Sequence, residues 1–457
     1  MLFPTFTFIL GFLPITIIVY YLLSSRHPGA SRLWLVAASF VFYAWFNWSY
    51  SLILGGSLIM NWLFAGWLYK KRSRLILTAG IICNVLLLGY FKYYDFFIDN
   101  VNAIFGTSFL LKHILLPLGI SFFTFQQISF LQQVYSDTLE RRYSFSSYAL
   151  FVCFFPQLIA GPIVLPDEMM SQFEDDRCRQ PQAANIASGL YIFSLGIAKK
   201  ILLADNLAVI ADAGFSDAAG NFFTAWQSVL AYTFQIYMDF SGYCDMAVGI
   251  GLLFNIRLPQ NFNSPYRSAS ITDFWRRWHI TLGRFLMGSI YIPLGGNRCS
   301  KFRNCLNLLI TFFVSGLWHG ASWLFVLWGM LHGAALVIHR IWSKFLGKSM
   351  PRILAVILTF FFVMFAWIPF RAADMAHAGQ MISAMFHPAS WSIHGKFSGF
   401  NLALLIISAA VIWCFSSAAE LEKKFRPTWY NALLTIILLV SSMFCFVKYS
   451  PFIYFNF

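Results

Sequence analysis

Residues 271–339 read ITDFWRRWHITLGRFLMGSIYIPLGGNRCSKFRNCLNLLITFFVSGLWHGASWLFVLWGMLHGAALVIH. Within them, the run 308–328 is apolar and long enough to cross a bilayer. It holds His319 between Gly316 and Gly320. An ionisable side chain at membrane depth normally faces protein or a water-filled cavity, and the two glycines allow another backbone or a ligand to come close. The run therefore predicts a functional histidine that can exchange a proton near neutral pH.

The composition extends this membrane character to the whole chain. Of its 457 residues, 59% are hydrophobic and 11% are charged, whereas soluble domains carry about 25% charged residues. The 52 phenylalanines and 16 tryptophans suit lipid contact and interfacial belts. These values predict an all-α polytopic membrane protein with about eleven transmembrane helices plus re-entrant or interfacial helices.

The net charge of +14 is explained by topology. Lysine and arginine sit mainly in short loops between apolar runs, such as KKRSR at 70–74, as the positive-inside rule requires. The alternation of basic and uncharged loops predicts an N-terminus outside the cytoplasm. The positive net charge therefore indicates the lipid bilayer as partner and gives no reason to expect nucleic acid. The eight cysteines are scattered without a CxxC pair, so no metal site or disulfide frame is expected.

Two apolar stretches are too interrupted for straight, lipid-facing helices. Residues 114–134 contain proline, glycine and paired glutamines, and this segment is expected to be buried against protein or a cavity. Residues 147–165 contain several prolines, which rule out a straight, continuous helix. The polar stretch 167–185 is interpreted as a surface loop. Since no repeat or linker divides the sequence, one domain is expected over 1–457, with its catalytic core at about 114–340.

Polar residues in two places have both a structural and a functional interpretation. Asp239 and Tyr243 are four apart and would share a helix face, either as a structural pair or as part of a binding site. Arg276 and Arg277 mark either a cytoplasmic helix end or a cationic mouth for a phosphate-rich ligand. On a continuous helix, His279 would face the same surface as Trp275 and Arg276.

The remaining features of the 271–339 segment are local. Residues 291–298, YIPLGGNR, predict a tight turn in which Gly295 and Gly296 adopt left-handed geometry. His332 and His339 are seven apart and would lie on one helix face. His332 is compatible with a histidine whose hydrogen bonds are satisfied in the core.

Five blocks together resemble the membrane-bound O-acyltransferase family, and within it the alginate O-acetylation (AlgI-like) branch. They are FFPQLIAGPI, QIYMDFSGYCDMAVG, FWRRWHITL, YIPLGGNR and SGLWHGASW. The similarity runs from LPLGISFFTF near Leu116 to the terminal PFIYFNF. The resemblance implies a central trans-membrane cavity, with catalytic roles for His319 and His279. The residues expected to bind substrate are Arg276, Arg277, Asp239, Tyr243 and Trp318.

The resemblance also implies a reaction. Acetyl-CoA would be the donor substrate, with no permanently bound cofactor, and the acetyl group would cross the bacterial inner membrane to an exported polysaccharide such as alginate. A periplasmic acetyltransferase and the polysaccharide biosynthesis and export machinery would be partners. Peptidoglycan O-acetylation and teichoic-acid D-alanylation are alternatives by the same chemistry. A polysaccharide-export transporter or a structural subunit is the alternative from a different class.

The expected mechanism centres on His319 as general base, which activates an acceptor hydroxyl to attack the thioester. Whether it instead carries the acetyl group transiently stays open. No Gly-x-Ser-x-Gly elbow is present, which argues against a serine acyl-enzyme. The chain departs from the branch at Met287, Gly288 and Ser289, where an Arg-Asp-Tyr-like triplet is usual.

Overall fold

A computed structural model describes residues 1–216, 221–345, 350–387, 399–446 and 452–453. Regular structure in these ranges is helical. The first α-helices are α1 (Leu13–Ser24), α2 (Pro28–Ala44), α3 (Trp48–Lys70), α4 (Arg74–Leu88), α5 (Tyr94–Phe105), α6 (Ile120–Ser136), α7 (Phe145–Cys153), α8 (Phe155–Leu158), α9 (Pro166–Glu174), α10 (Ala183–Ala198) and α11 (Asp205–Ser216). The rest are α12 (Phe222–Leu253), α13 (Ile271–Trp275), α14 (Ile280–Leu286), α15 (Lys301–His319), α16 (Trp323–Phe345), α17 (Arg352–Arg371), α18 (Met375–Phe386), α19 (Gly399–Cys414), α20 (Ala418–Lys424) and α21 (Trp429–Phe444).

Six helical segments of the described chain are long and apolar enough to cross a membrane, and a bent pair, α19 with α20, could add a seventh. The six are Thr7–Ser24, Trp48–Lys70, Arg74–Phe105, Ala183–Ser216, Trp323–Ser343 and Arg352–Arg371. Short π-helical segments keep some of them continuous, as Gly89–Tyr93 does between α4 and α5. The all-α polytopic class is thus confirmed. The number of about eleven spans and the central cavity stay predictions.

The chain forms two compact units that alternate along the sequence. Unit 1 comprises Met1–Leu195, Tyr243–Pro259 and Phe425–Ile437. Unit 2 comprises Gly196–Gly242, Gln260–Lys424 and Leu438–Phe457. The expectation of one domain, with a core at about 114–340, stays a prediction.

In unit 1, the interrupted stretches are packed inside the protein. Helix α6 begins only after Gly119, which has a left-handed φ of 72°. Gln127 on this helix is buried, donating to Ser57 Oγ at 2.9 Å and accepting from the Tyr148 hydroxyl at 3.0 Å. The 147–165 stretch is split into α7 and the four-residue α8. The predictions of a segment buried against protein over 114–134 and of a discontinuous helix over 147–165 are confirmed.

The prediction of a surface loop over 167–185 is wrong for its first part, because α9 occupies Pro166–Glu174. A proline opens this helix, and Glu168 accepts from the backbone N–H of Leu165 at 3.1 Å, which caps it. Met170 and Phe173 are buried on one side. This charged segment therefore forms an amphipathic helix.

In unit 2, α15 and α16 form a tightly packed antiparallel pair. A Cβ at Gly316 would overlap the carbonyl oxygen of Phe325, and one at Gly329 would overlap the carbonyl oxygen of Phe312. The close approach predicted at Gly316 is confirmed. The apolar run 308–328 is not one continuous span, however, since α15 ends at His319 and α16 starts at Trp323.

Candidate active site

His319 lies at the C-terminal end of α15, inside a ring of aromatic side chains. Its ring centroid is 4.9 Å from that of Trp318, 4.8 Å from that of Trp328 and 5.3 Å from that of Phe370. The side chain is 3% exposed, and both ring nitrogens are buried. The imidazole therefore faces protein.

His279 occupies a sharp turn, outside the apolar spans, that breaks the helix expected from the sequence. Helix α13 ends at Trp275, His279 adopts left-handed geometry with φ 45°, and α14 begins at Ile280. Its Nδ1 lies 3.2 Å from Asn261 Oδ1. The same oxygen accepts from the backbone N–H and the hydroxyl of Thr281, at 3.2 and 2.9 Å. Because that oxygen only accepts, His279 carries its proton on Nδ1 and its lone pair on Nε2.

Burial lowers the pKa of His279 to about 3, from the ordinary value of about 6.5. Between these values the unfolded chain binds a proton that the folded site rejects, so folding stability falls as pH falls through this window. We expect His279→Gln to reduce the loss of stability between pH 7 and pH 5 by on the order of 2 kcal/mol. Thermal unfolding in detergent at the two pH values measures this difference. An unchanged pH dependence would contradict the low pKa.

The structure brings three of the predicted site residues together in unit 2. The ring centroids of His279 and His319 are 6.5 Å apart, and Trp318 lies 5.9 Å from His279. Phe240 packs edge-on against His279 at 4.8 Å. An imidazole such as that of His319 can take up a proton, which suits acid–base chemistry, whereas the lowered pKa of His279 suits a hydrogen-bonding role. The catalytic roles themselves remain predictions.

The two arginines do not share the surroundings of His279. Arg276 is exposed, and Arg277 forms an ion pair with Asp273 at 2.9 Å. Trp275 packs against other rings, whereas His279 is fully buried. The predicted common surface of Trp275, Arg276 and His279 is therefore wrong, because the chain leaves the helix before it reaches the histidine.

His332 and His339 do lie on one face of α16, where both contact α13. Trp275 Nε1 donates to His332 Nδ1 at 3.3 Å. The Nδ1 of His339 is 3.0 Å from the Thr272 hydroxyl. This confirms the shared face. His332 is buried and accepts one hydrogen bond at Nδ1, but its Nε2 has no hydrogen-bond partner among the described residues, so its hydrogen bonds are only partly satisfied. The turn predicted at 291–298 is also confirmed, with φ 107° at Gly295 and 54° at Gly296.

Asp239 belongs to a buried charge cluster in unit 2, whose partners the sequence did not reveal. Lys200 Nζ lies 2.7 Å from Asp205 Oδ1 and 2.8 Å from Asp239 Oδ1. The second carboxylate oxygen of Asp239 accepts from the backbone N–H of Ile453 at 2.8 Å. Tyr243, in unit 1, stacks on Phe3 with centroids 4.9 Å apart. The contacts of Asp239 thus favour its structural interpretation.

Removing the ammonium of this cluster should be costly. Lys200→Met would leave two buried carboxylates without their cation, and we expect a loss of about 3–5 kcal/mol in stability. Chemical denaturation in mixed micelles measures it. Arg371→Met is the control, since the ion pair of Arg371 with Asp212 is partly exposed and should cost about 1 kcal/mol or less. Equal losses in the two variants would contradict the assignment of a desolvated cluster.

The fold and the site define an integral membrane protein of helices with two buried histidines in one aromatic interior. The family model of the membrane-bound O-acyltransferases matches residues 107–373, which include these histidines. The chain belongs to the membrane-bound O-acyltransferase family, and it is an acyltransferase.

Relatives of named activity agree with this class. The chain is 41% identical to the peptidoglycan O-acetyltransferase of Helicobacter pylori, over 100% of this chain and 98% of the relative. It is 38% identical to the probable alginate O-acetylase AlgI of Pseudomonas aeruginosa, over 91% and 81%. It is 25% identical to the teichoic acid D-alanyltransferase of Bacillus subtilis, over 57% and 70%.

Proposed function

We propose that this acyltransferase takes an acetyl group from cytoplasmic acetyl-CoA and passes it across the bacterial inner membrane to a cell-surface polysaccharide. The support is the similarity to O-acetyltransferases of peptidoglycan and alginate over nearly the whole chain. Peptidoglycan is the first acceptor to test, because this chain shares higher identity with the peptidoglycan O-acetyltransferase than with the alginate O-acetylase and matches 98% of its length. Alginate or a similar exopolysaccharide is the second.

The observation that carries the proposal is the buried pair His319 and His279, 6.5 Å apart between ring centroids. His319 acts as general base and takes the proton of the acceptor hydroxyl. The C-terminal end of a helix carries partial negative charge, which stabilises the positive charge that the imidazole then acquires. His319 ends α15, a helix of 19 residues. This placement suits a base better than a histidine in mid-helix.

His279 has a different part in this proposal. With its proton held on Nδ1 by Asn261, its Nε2 can accept a hydrogen bond from a hydroxyl but cannot donate one to a carbonyl. We therefore assign it to orienting the acceptor hydroxyl. Asn261, which the sequence did not single out, becomes the residue that fixes the histidine tautomer.

The donor and the partners complete the proposal. Arg276 is exposed and contacts the phosphates of CoA, while the charge of Arg277 is offset by Asp273. In this proposal the N-terminus lies in the periplasm, which the basic loops between apolar runs support. A periplasmic acetyltransferase, working with the polysaccharide machinery, delivers the acetyl group to the polymer.

Sealed proteoliposomes with a defined orientation test this function. Labelled acetyl-CoA is supplied on one side, and the periplasmic acetyltransferase with either peptidoglycan fragments or alginate oligosaccharides on the other. The proposal predicts that label appears on a glycan only when the donor faces the cytoplasmic side. Label on neither glycan, with acetyl-CoA left intact, would contradict it. Transport of an unmodified saccharide would support the transporter alternative instead.

A further inference from the structure

Trp328 belongs to the ring of side chains around His319, and no role was predicted for it from the sequence. It lies on α16 and is 0% exposed. Its ring meets the His319 ring at 4.8 Å between centroids and 83° between planes. Trp367 stacks on its other side at 5.7 Å, and Phe370 packs against it at 5.1 Å. The indole is therefore held firmly beside the proposed base.

The indole N–H of Trp328 has no hydrogen-bond partner among the residues that the structure describes. The N–H of a buried tryptophan generally finds an acceptor, and leaving it without one is costly. Trp278 is a second buried tryptophan whose N–H lacks a partner among the described residues, while the ring of Trp328 packs against the proposed base. The stacked neighbour shows the usual arrangement, since Trp367 Nε1 donates to the Tyr266 hydroxyl at 3.2 Å. A buried donor that the fold leaves unused, in contact with the base, points to a substrate atom as its acceptor.

Acyl transfer creates such an acceptor. As the hydroxyl oxygen bonds to the thioester carbon, the carbonyl π electron pair moves onto the carbonyl oxygen and His319 takes the hydroxyl proton. When the pair returns, the carbon–sulfur bond breaks, and the sulfur of CoA takes the proton from His319. The carbonyl oxygen is negatively charged between these events. Donors aimed at such an oxygen stabilise the transition state, and His279, protonated on Nδ1, has no proton on Nε2 to offer.

We propose that Trp328 Nε1–H is the donor to the carbonyl oxygen of the acetyl thioester, which makes Trp328 a catalytic residue of the proposed reaction. This inference rests on the proposed acyl transfer. It adds a donor to a site that otherwise holds a base and an orienting histidine.

Trp328→Phe keeps an aromatic ring and removes only the N–H and part of the ring volume. Trp278→Phe is the matched control, because Trp278 is also fully buried with an indole N–H that lacks a partner among the described residues. The rings around Trp278 include Phe262 at 5.1 Å and Trp367 at 5.0 Å. Both variants thus delete the same atoms from an aromatic core.

The assay is release of the CoA thiol from acetyl-CoA by purified full-length protein in detergent, with peptidoglycan fragments as acceptor. For Trp328→Phe we expect kcat to fall about 10²–10³-fold, with little change in KM for acetyl-CoA, because the hydrogen bond strengthens in the transition state. Trp278→Phe should stay within about threefold of wild type. The two melting temperatures should fall by similar amounts.

A Trp328→Phe variant with near-normal kcat would overturn the inference and leave the proposed function intact. Equal loss of activity in both variants would also overturn it, since that result indicates a packing role. Absence of activity in the wild-type protein would instead reject the proposed function itself.

Discussion

Replacing His319 by alanine is expected to lower acetyl transfer by about 10²–10⁴-fold, the usual contribution of a general base. The imidazole is the ionisable group enclosed by Trp318, Trp328 and Phe370. No other side chain in that ring of neighbours can take the hydroxyl proton. Release of CoA from acetyl-CoA by purified protein measures the loss.

The matched control is His339→Ala. His339 is a partly buried histidine that bonds to the Thr272 hydroxyl at 3.0 Å, away from the pair. Its loss should leave the rate within a few-fold of wild type. If the two variants are equally active, the assignment of His319 is contradicted. If both are inactive because they no longer insert, the loss reflects a folding defect. Melting curves distinguish a folded, inactive protein from a misfolded one.

The second large effect concerns the packing of α15 on α16. Gly329→Ala would drive a methyl group into the carbonyl oxygen of Phe312, and backbone atoms cannot yield as a flexible side chain can. We expect a loss of about 3 kcal/mol or more, at the upper end of overpacking costs. Because His319 lies on α15, activity should fall together with the melting temperature.

Gly379→Ala is the control for this change. Gly379 lies in α18, and a Cβ there would meet no atom within 4 Å. Because alanine favours a helix over glycine, stability should rise by about 0.5–1 kcal/mol. A Gly329→Ala protein that melts like the wild type would show that the helices are less closely packed than the structure describes.

Much of the fold follows from local chemistry that a sequence displays. Apolar length identified membrane helices, and glycines beside His319 indicated a close helix contact that Gly316 makes. The glycine pair at 295–296 indicated left-handed turns. In each case the residues that carry the sequence pattern lie within a few residues of the structure that the pattern predicts.

The turn at His279 could not be predicted in this way. Residues 275–280 contain neither proline nor glycine, and the pattern fits a continuous helix. What ends α13 is tertiary: the backbone carbonyl and the side chain of Asn261 bind the Ile280 and Thr281 N–H groups and His279 Nδ1. An asparagine eighteen residues earlier carries no local signal of that contact.

The same limit applies to Asp239. Spacing alone paired it with Tyr243, four residues away, because helix periodicity reveals only neighbours on one face. Its partner in the fold is Lys200, which the sequence shows merely as a basic residue at the end of an apolar segment. Which distant charges pair depends on how the helices pack. A buried charge must pair in this way because the free energy of desolvating it alone is unfavourable.

The most direct test of the account is the single substitution His319→Gln, which preserves side-chain size and polarity but cannot act as a base. Wild-type and variant proteins are placed in the same sealed vesicles with the periplasmic acetyltransferase outside, and the initial rate of labelled acetyl transfer to peptidoglycan fragments is measured over a range of acetyl-CoA concentrations up to saturation. We predict that kcat falls by at least about 10²-fold while KM for acetyl-CoA and the melting temperature stay close to wild type. A folded variant that keeps more than about a tenth of the wild-type rate, which costs less than about 1.4 kcal/mol of barrier, would contradict the role of His319.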